Sequence, residues 1–169
     1  SGTCDANTTN LLYLNGQLEH TLPPSGTTFT HDFESLTDAT YTVQVVSENS
    51  IGTQTVGQNT VTFAVDTQPP AAPSVTTQVD PYINAFPSLS GTVTNAETVT
   101  VKVYDGATQL LPEIVTSDGT FAWTADDAQP DAAYSLTVRA VDEAGNASDP
   151  SAALAFLLKT SLPSSPTLT

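Results

Sequence analysis

The feature that most constrains this chain is an internal repeat. Residues 41–76, YTVQVVSENSIGTQTVGQNTVTFAVDTQPPAAPSVT, align without a gap on residues 134–169, YSLTVRAVDEAGNASDPSAALAFLLKTSLPSSPTLT. At the same offset, Thr27 falls on Thr120. Overall identity is low, but aromatic, glycine and proline positions agree together: Tyr41 with Tyr134, Gly52 with Gly145, Phe63 with Phe156, Pro70 with Pro163, and Pro73 with Pro166. Such self-similarity indicates two copies of one structural module.

Each copy is a series of short β-strand patterns. Residues 98–103, TVTVKV, alternate between apolar and polar side chains, which is typical of a strand with one face on a core. Gly, Pro, Asn and Asp residues separate the apolar segments at a spacing of about ten residues, as in sandwich folds. No stretch has apolar residues at helical spacing over the length of a helix. The predicted fold class is therefore all-β.

A tyrosine motif specifies the kind of β fold. The segments DATYTVQV at 38–45 and DAAYSLTV at 131–138 both read Asp-x-x-Tyr-x-x-x-Val. A tyrosine at the start of the penultimate strand, with its hydroxyl bonded to upstream backbone, forms the tyrosine corner of Greek-key sandwiches. Tyr41 and Tyr134 are predicted to have this structural role, so the chain is predicted to fold as two tandem Greek-key β-sandwiches.

Two further segments resemble a known family. YSLTVRAVDEAGNASDPS at 134–151 and the linker VDTQPPAAPSV at 65–75 are similar to the bacterial Ig-like repeats of large surface adhesins and biofilm-associated proteins. The resemblance covers 67–158 and, more weakly, 1–66, where SENSIGTQT lacks the Asp and Asn of the matching loop. It implies Ig-like sandwiches, a location on the bacterial cell surface or in secreted material, a non-enzymatic structural role, and calcium between modules.

The module boundaries leave one strand missing at the front and one in excess at the back. SGT at 1–3 matches SGT at 90–92, which in the second copy follows a strand A pattern, PSVTTQV. The predicted domains are therefore 1–66, an Ig-like sandwich lacking its own strand A; 67–158, a complete sandwich; and 159–169, a linker with a spare strand resembling strand A. The residues of this candidate donor strand are Leu162, Pro163, Pro166 and Leu168.

Two explanations of this pattern stay open. The chain can be a segment of a long repeat array, whose partners are neighbouring Ig-like repeats. Alternatively, the spare strand of one copy fills the gap in the next copy, because β-strand addition satisfies exposed backbone groups and core side chains. Repeated head to tail, such a contact does not close and builds a filament.

Acidic loops of the second module favour a calcium site. In a sandwich of this strand order, the incoming linker and several loops lie at one pole, and together they carry Asp66, Glu97, Asp118, Asp142, Glu143 and Asn146. Calcium takes about six to eight oxygen ligands, several of them carboxylates, so Ca²⁺ is the expected cofactor. The alternative is that the acids are solvated and that the Asn and Gly residues serve only the turns.

Composition argues against several function classes. The net charge is −15, and Lys102, Arg139 and Lys159 are the only basic residues besides two histidines. Such a chain repels nucleic-acid phosphates and anionic lipid. No apolar run is long enough to span a membrane, and no catalytic motif is present, so the chain is not expected to be an enzyme. A ligand-binding adhesin module stays an alternative, although no aromatic patch or long inserted loop supports it.

Three single residues carry no predicted chemistry. Cys4 aligns with Val93, an inward strand position, and is expected to be a small buried thiol. His20 and His31 have no second ligand at metal-binding spacing and are expected at the surface.

Overall fold

The computed structural model describes residues 1–4, 8–22, 27–57, 60–94, 98–162 and 165. Regular secondary structure in these residues consists of β-strands alone, so the predicted all-β class is confirmed. Residue contacts divide the chain into two units, Ser1–Thr67 and Gln68–Thr169. The division falls within the linker that the sequence identifies.

The first unit contains seven strands in its described residues. β1 pairs with β4, while β3, β2, β5 and β6 form a second sheet in that order, with β7 also paired to β5. All of these pairs are antiparallel. The strands are β1 (Gly2–Thr3), β2 (Thr9–Leu14), β3 (Gln17–Leu22), β4 (Thr28–Phe29), β5 (Ala39–Glu48), β6 (Gln54–Val56) and β7 (Val61–Val65).

The second unit contains eight strands in its described residues. One sheet has the order β13-β10-β8, and the other has the order β12-β11-β14-β15-β9. The pair β15–β9 is parallel, and the remaining pairs are antiparallel. The strands are β8 (Ser74–Val75), β9 (Tyr82–Ile83), β10 (Leu89–Thr92), β11 (Val99–Asp105), β12 (Thr108–Thr116), β13 (Thr120–Trp123), β14 (Ala133–Val141) and β15 (Leu154–Leu158).

Alternate strand positions build the core of the second unit. Val99, Val101 and Val103 of β11 are at most 1% exposed, and Phe121 and Trp123 of β13 are buried on the facing sheet. Burying one such side chain contributes about 1.5–3 kcal/mol. In the described part of the first unit, the buried apolar side chains are fewer: Leu12, Tyr41 and Val46.

Equivalent hydrogen bonds occur within each of the two units. Asn15 Oδ1 accepts the N–H of Thr42 at 2.9 Å, and Asp105 Oδ1 accepts the N–H of Ser135 at 3.0 Å. In both units, an Asn or Asp side chain at the end of the first hairpin strand thus accepts a hydrogen bond from the backbone of the neighbouring strand, β5 or β14. Asn15 and Gly16 both have positive φ, which a tight two-residue hairpin turn of the I′ type requires.

The sequence alignment of strand β4 is wrong by one residue. Thr3 pairs with Thr28, as Thr92 pairs with Thr120 in the second unit. The structural equivalent of Thr120 is therefore Thr28 and not Thr27. The connecting loops differ in length between the units, so the offset changes from strand to strand.

Candidate functional site

In the second unit, the first strand of the module contacts both sheets. β8 pairs with β10 in one sheet, and β9 pairs with β15 in the other. The N–H of Thr76 donates to the Ser90 carbonyl at 2.8 Å, and the N–H of Lys159 donates to the Ile83 carbonyl at 2.9 Å. Strand A thus consists of two short pieces, whereas the sequence pattern predicted one strand over PSVTTQV. The ladder breaks because the chain crosses from one sheet to the other.

A glycine makes the close approach of β8 possible. A Cβ atom at Gly91 would overlap the carbonyl oxygen of Ser74 and the ring of Phe121. A Cβ atom at Gly2, in the first unit, would overlap the ring of Phe29. Glycine is the residue that allows such contact between a backbone and its neighbours. The glycine of the repeated SGT is therefore a packing position in both units, and in the second unit it also seats strand A.

Phe86, between β9 and β10, anchors the segment after strand A in the core. Its ring centroid lies 5.0 Å from that of Tyr134, 5.6 Å from that of Phe156 and 6.4 Å from that of Trp123. All three contacts are edge-to-face, a geometry that aromatic pairs favour. Strand A and the segment behind it therefore complete the second unit.

The first unit contains a cavity of about 500 Å³ between its two sheets. Beside it, Tyr41 and Phe63 stack at 5.7 Å, the arrangement that Tyr134 and Phe156 have in the second unit at 5.4 Å. Phe33 supplies another ring, 6.3 Å from Phe63, and it comes from the connection after β4. The apolar side chains on the cavity wall include Leu12, Phe29, Phe33, Val43, Val61 and Phe63.

Two open strand edges accompany this cavity. Among the described residues, β1 pairs only with β4 and β7 pairs only with β5, whereas their counterparts β10 and β15 are paired on both sides. Gly2 of β1 and Val61 of β7 line the cavity, and Val61 is 57% exposed. An unpaired edge presents free backbone donors and acceptors. We call the cavity with the edges of β1 and β7 the acceptor groove.

A histidine pair lies at the acceptor groove, and its formation was not predicted from the sequence. His31 lines the cavity, and His20 of β3 stacks on it with ring centroids 4.7 Å apart. His20 is exposed, as expected, whereas His31 is half-buried. With the corrected alignment of β4, His31 occupies the position of Trp123. Strand pairing brings the two rings together, so sequence spacing gives no signal for the contact.

Cys4 takes the strand position of Val93. Its N–H donates to the Thr27 carbonyl at 2.9 Å, as that of Val93 donates to the Gly119 carbonyl at 3.0 Å. The Cys4 side chain is half-buried, while Val93 is 6% exposed. The thiol is therefore less covered than the alignment predicted.

Both tyrosines of the Asp-x-x-Tyr motif are buried and bonded to upstream backbone. The hydroxyl of Tyr41 donates to the Thr37 carbonyl at 2.9 Å, and that of Tyr134 donates to the Pro130 carbonyl at 2.8 Å. Burial raises the pKa of Tyr134, and the negative charges of Asp105 and Asp131 raise it further. The phenol therefore stays a hydrogen-bond donor.

Asp142 closes its own loop in the second unit. Its carboxylate accepts the backbone N–H of Asn146 at 2.8 Å and the side-chain amide at 3.0 Å. Burial alone raises the pKa of Asp142, but the hydrogen bonds from Asn146 and from the Gly145 and Ala144 backbone outweigh it and hold the pKa below its usual value. The side chain is therefore engaged as a turn-stabilising acceptor.

Asp118 has a similar local role. Its Oδ1 accepts the Thr120 N–H, the Thr120 hydroxyl and the Thr116 hydroxyl, each at 2.9 Å. These donors hold the pKa of Asp118 below its usual value, with the Thr120 N–H contributing most.

The described residues do not assemble the predicted calcium ligands into one group. No set of three His, Cys, Asp or Glu side chains in the described part of the chain is placed to hold a metal ion. Glu143 is exposed, Glu97 lies outside the described residues, and Asp66 belongs to the first unit. The calcium site stays a prediction.

The predicted donor residues are described only in part. Leu162 is 92% exposed, and Pro163, Pro166 and Leu168 lie outside the described residues. Among the described residues, no helix has the length and apolarity to cross a membrane.

Facing sheets of mainly antiparallel strands, a tyrosine-corner hydrogen bond and a first strand split between both sheets define an immunoglobulin-like β-sandwich protein. The chain belongs to the bacterial Ig-like domain family, whose model matches residues 73–160, from the residue before β8 to the residues that follow β15. The family resemblance predicted from the motifs is confirmed. Ig-like and fibronectin-III-like domain families are generally non-catalytic.

Solved structures of other proteins are similar to this chain. The fibronectin(III)-like modules of Clostridium thermocellum CbhA align over 99% of this chain and 88% of their own, with a TM-score of 0.59 and 14% identity. The BSP domain of a biofilm associated protein aligns over 93% of this chain and 26% of its own, with a TM-score of 0.41 and 24% identity. No curated protein sequence matches the chain.

Proposed function

We propose that this chain is a non-enzymatic structural segment of a bacterial cell-surface or secreted protein, in which Ig-like modules joined in series form a stalk or fibre. The observation that supports this proposal is that the first unit repeats the hairpin and tyrosine contacts of the second unit, which matches the bacterial Ig-like family model. Modules in such arrays have their own cores and contact their neighbours in sequence. Their function is to extend and space whatever the array carries.

The acceptor groove supports a finer proposal, in which it binds a strand from another copy of the chain. In the second unit, β8 and β9 pair with the strands equivalent to β1 and β7. An incoming strand of the same type pairs antiparallel with β1 and parallel with β7, and its apolar side chains enter the cavity. Main-chain hydrogen bonds then give affinity, and the pockets for alternate side chains give specificity.

The C-terminal tail, residues 159–169, is the proposed donor for the edge of β1, because it aligns with residues 66–76, which include β8 and end before β9. Thr160 aligns with Thr67, and Pro166 aligns with Pro73, which directly precedes β8. Leu168 aligns with Val75, a strand residue that packs against the core of the second unit. Donation from each copy to the next is a heterologous contact, so it produces a filament.

Deletion of residues 161–169 tests strand donation. We expect the full chain to form threads of uniform width in electron micrographs and the shortened chain to stay monomeric by light scattering. Fluorescence of Trp123, the only tryptophan, reports whether the second unit is still folded. Polymers that survive the deletion would refute donation by the tail.

Matched point variants separate donation from a general effect of added charge. Leu168→Asp places a carboxylate at the position of Val75, while Thr169→Asp adds the same charge at the position of the exposed Thr76. We expect the first to abolish polymers and the second to preserve them. Equal behaviour of the two variants contradicts the proposed register.

A spacer without self-assembly is the second candidate, favoured by the sequence after β15, which continues as a module linker does. In that case, a preceding module of a longer array supplies the strand for the acceptor groove. Isolated particles of the purified chain, unchanged by deletion of residues 161–169, are the outcome expected for this candidate.

A further inference from the structure

An aspartate near the tyrosine corner holds the chain as it leaves each unit. In the first unit, Asp38 Oδ1 accepts the N–H of Thr67 at 3.1 Å and its hydroxyl at 2.9 Å. In the second unit, Asp131 Oδ1 accepts the N–H of Thr160 at 2.8 Å and its hydroxyl at 2.7 Å. Each threonine lies two residues beyond the last strand of its unit. We call Thr67, Thr160 and Ser161 the exit residues.

The second unit adds bonds to the same carboxylate. Asp131 Oδ2 accepts the hydroxyl of Ser161 at 2.8 Å and its N–H at 3.3 Å. The N–H and hydroxyl of Thr160, together with Ser161, hold the pKa of Asp131 well below its ordinary value. Hydrogen bonds to an ionised carboxylate are roughly twice as strong as those between neutral groups, which suits a group that fixes two exposed residues.

The aspartate is itself fixed from the core. The carbonyl that accepts the tyrosine hydroxyl belongs to the residue directly before it in both units, Thr37 and Pro130. The tyrosine rings are stacked on a phenylalanine of the last strand. A continuous series of contacts therefore connects the core, the loop and the exit residues.

These bonds are not local turn contacts. Aspartate and threonine are separated by 29 residues in both units, and the target lies beyond the last strand, where the chain leaves the unit. A carboxylate that served only its own turn would bond to residues close in sequence, as Asp118 and Asp142 do.

We propose that Asp38 and Asp131 are linker-positioning residues, which fix the direction in which the chain leaves each module and so give successive modules a set orientation without a metal ion. This inference rests on the proposed role as a structural repeat, and it is independent of strand donation. The chemistry it uses is hydrogen bonding by one carboxylate per module to the exit residues.

The orientation of the two units tests this role in the full chain. In a Cys4→Ser background, nitroxide labels at the exposed positions Leu18 and Val115 give the distribution of distances between units by pulsed electron spin resonance. We expect a narrow distribution that EDTA does not change, and at least a twofold broadening in Asp38→Ala. Asp32→Ala, an exposed acid of the same connection, is the charge-matched control and is expected to leave the width unchanged.

The conservative variant separates positioning from charge. Both bonds from Thr67 go to one oxygen of Asp38, and asparagine keeps that acceptor, so Asp38→Asn is expected to give a width between those of wild type and Asp38→Ala. If Asp38→Ala unfolds the first unit, Thr67→Val removes the hydroxyl donor at nearly equal volume and is expected to broaden the distribution instead. The proposal is overturned if the wild-type distance distribution is broad or if it broadens with EDTA. It is also overturned if the distribution stays narrow in both Asp38→Ala and Thr67→Val.

Hydrogen exchange tests the second aspartate. Asp131 uses both oxygens, so Asp131→Asn is expected to lose one of the two sets of bonds. We expect the amide of Thr160 or Ser161 to exchange at least tenfold faster in this variant, with the Trp123-detected unfolding transition retained. Unchanged exchange at both amides contradicts the assignment of Asp131, whatever the outcome of the polymerisation experiments.

Discussion

One residue position distinguishes the cores of the two units. Trp123 is 1% exposed, and its indole N–H donates to the Pro112 carbonyl at 2.7 Å. At the equivalent position, His31 has a smaller ring that stacks on His20 and lines the cavity. The acceptor groove therefore reflects a smaller side chain at this position as well as strand edges that no described residue pairs with.

The tyrosine hydroxyls predict a stability effect confined to one unit. Tyr134→Phe removes the hydrogen bond to the Pro130 carbonyl, and a bond of this kind contributes about 0.5–1.5 kcal/mol to stability. Because Trp123 is in the second unit, we expect its fluorescence-detected denaturation midpoint to fall in Tyr134→Phe and to stay unchanged in Tyr41→Phe. Equal shifts in the two variants contradict independent tyrosine corners.

The Asp131 carboxylate predicts a pH dependence. Its pKa is lowered in the folded protein by Thr160 and Ser161. The stability it contributes is therefore fully present above the pKa of an unfolded aspartate and is lost as the pH falls through the lower folded pKa. We expect the exit residues to stay bound in mild acid. A carboxyl NMR titration is expected to show a higher Asp131 pKa in a Thr160→Val, Ser161→Ala variant, and an unchanged titration would count against these bonds.

At the scale of elements, the split first strand is what completes a module. β8 reaches one sheet only because Gly91 leaves room for the Ser74 carbonyl, and β9 extends the other sheet along β15. The first unit retains the glycine, Gly2, and its phenylalanine neighbour, but in the described residues no strand pairs with β1 on its other side.

Substitution of that glycine is expected to loosen strand A. In Gly91→Ala the new Cβ overlaps both the Ser74 carbonyl and the Phe121 ring, and overpacking of this kind costs about 1–3 kcal/mol. Trp123 fluorescence is expected to report a lower denaturation midpoint, and the amides of Thr76 and Thr77 to lose protection from hydrogen exchange. Gly2→Ala is the matched control, in which the Trp123 transition stays at its wild-type midpoint.

Much of the strand content follows from short-range sequence patterns. The alternation in β11 and the Asp-x-x-Tyr segments depend on neighbouring residues alone. The strands and the tyrosine corners could therefore be predicted from the sequence. The one-residue shift at Thr28, the division of strand A and the stacking of His20 on His31 depend on how distant strands pair. The lengths of the connecting loops set these strand registers, so they cannot be predicted from the repeated sequence segments alone.

At the scale of the whole molecule, charge opposes association of copies. The net charge is −15, and like charges repel over about 30 Å in 0.01 M salt but only about 10 Å in 0.1 M. If the tail of one copy enters the groove of another, we expect light scattering to grow faster as NaCl is raised over this range. A rate that falls with added salt contradicts strand donation driven by apolar contacts.

Calcium makes a separate prediction for the acidic loops. When the free calcium concentration is about 100 times the Kd of a site, binding stabilises the folded state by about 2.7 kcal/mol. Millimolar CaCl₂ is therefore expected to raise the Tm of the Trp123-detected transition above that in NaCl of equal ionic strength, and EDTA to reverse the rise. Glu143→Gln, at an exposed position, is expected to make the calcium-dependent rise in Tm smaller. The same Tm in both salts would remove the calcium site.

The parallel pairing of β9 with β15 has a mechanical consequence. Because both strands run in the same direction, a pull on the incoming chain and an opposite pull on the outgoing chain slide them past each other. The bonds from Leu157 and Lys159 to Pro81 and Ile83 then stretch together instead of opening one by one. Shear of this kind resists force better than opening the bonds one at a time. The pairing of β9 with β15 is therefore expected to resist tension applied along the chain.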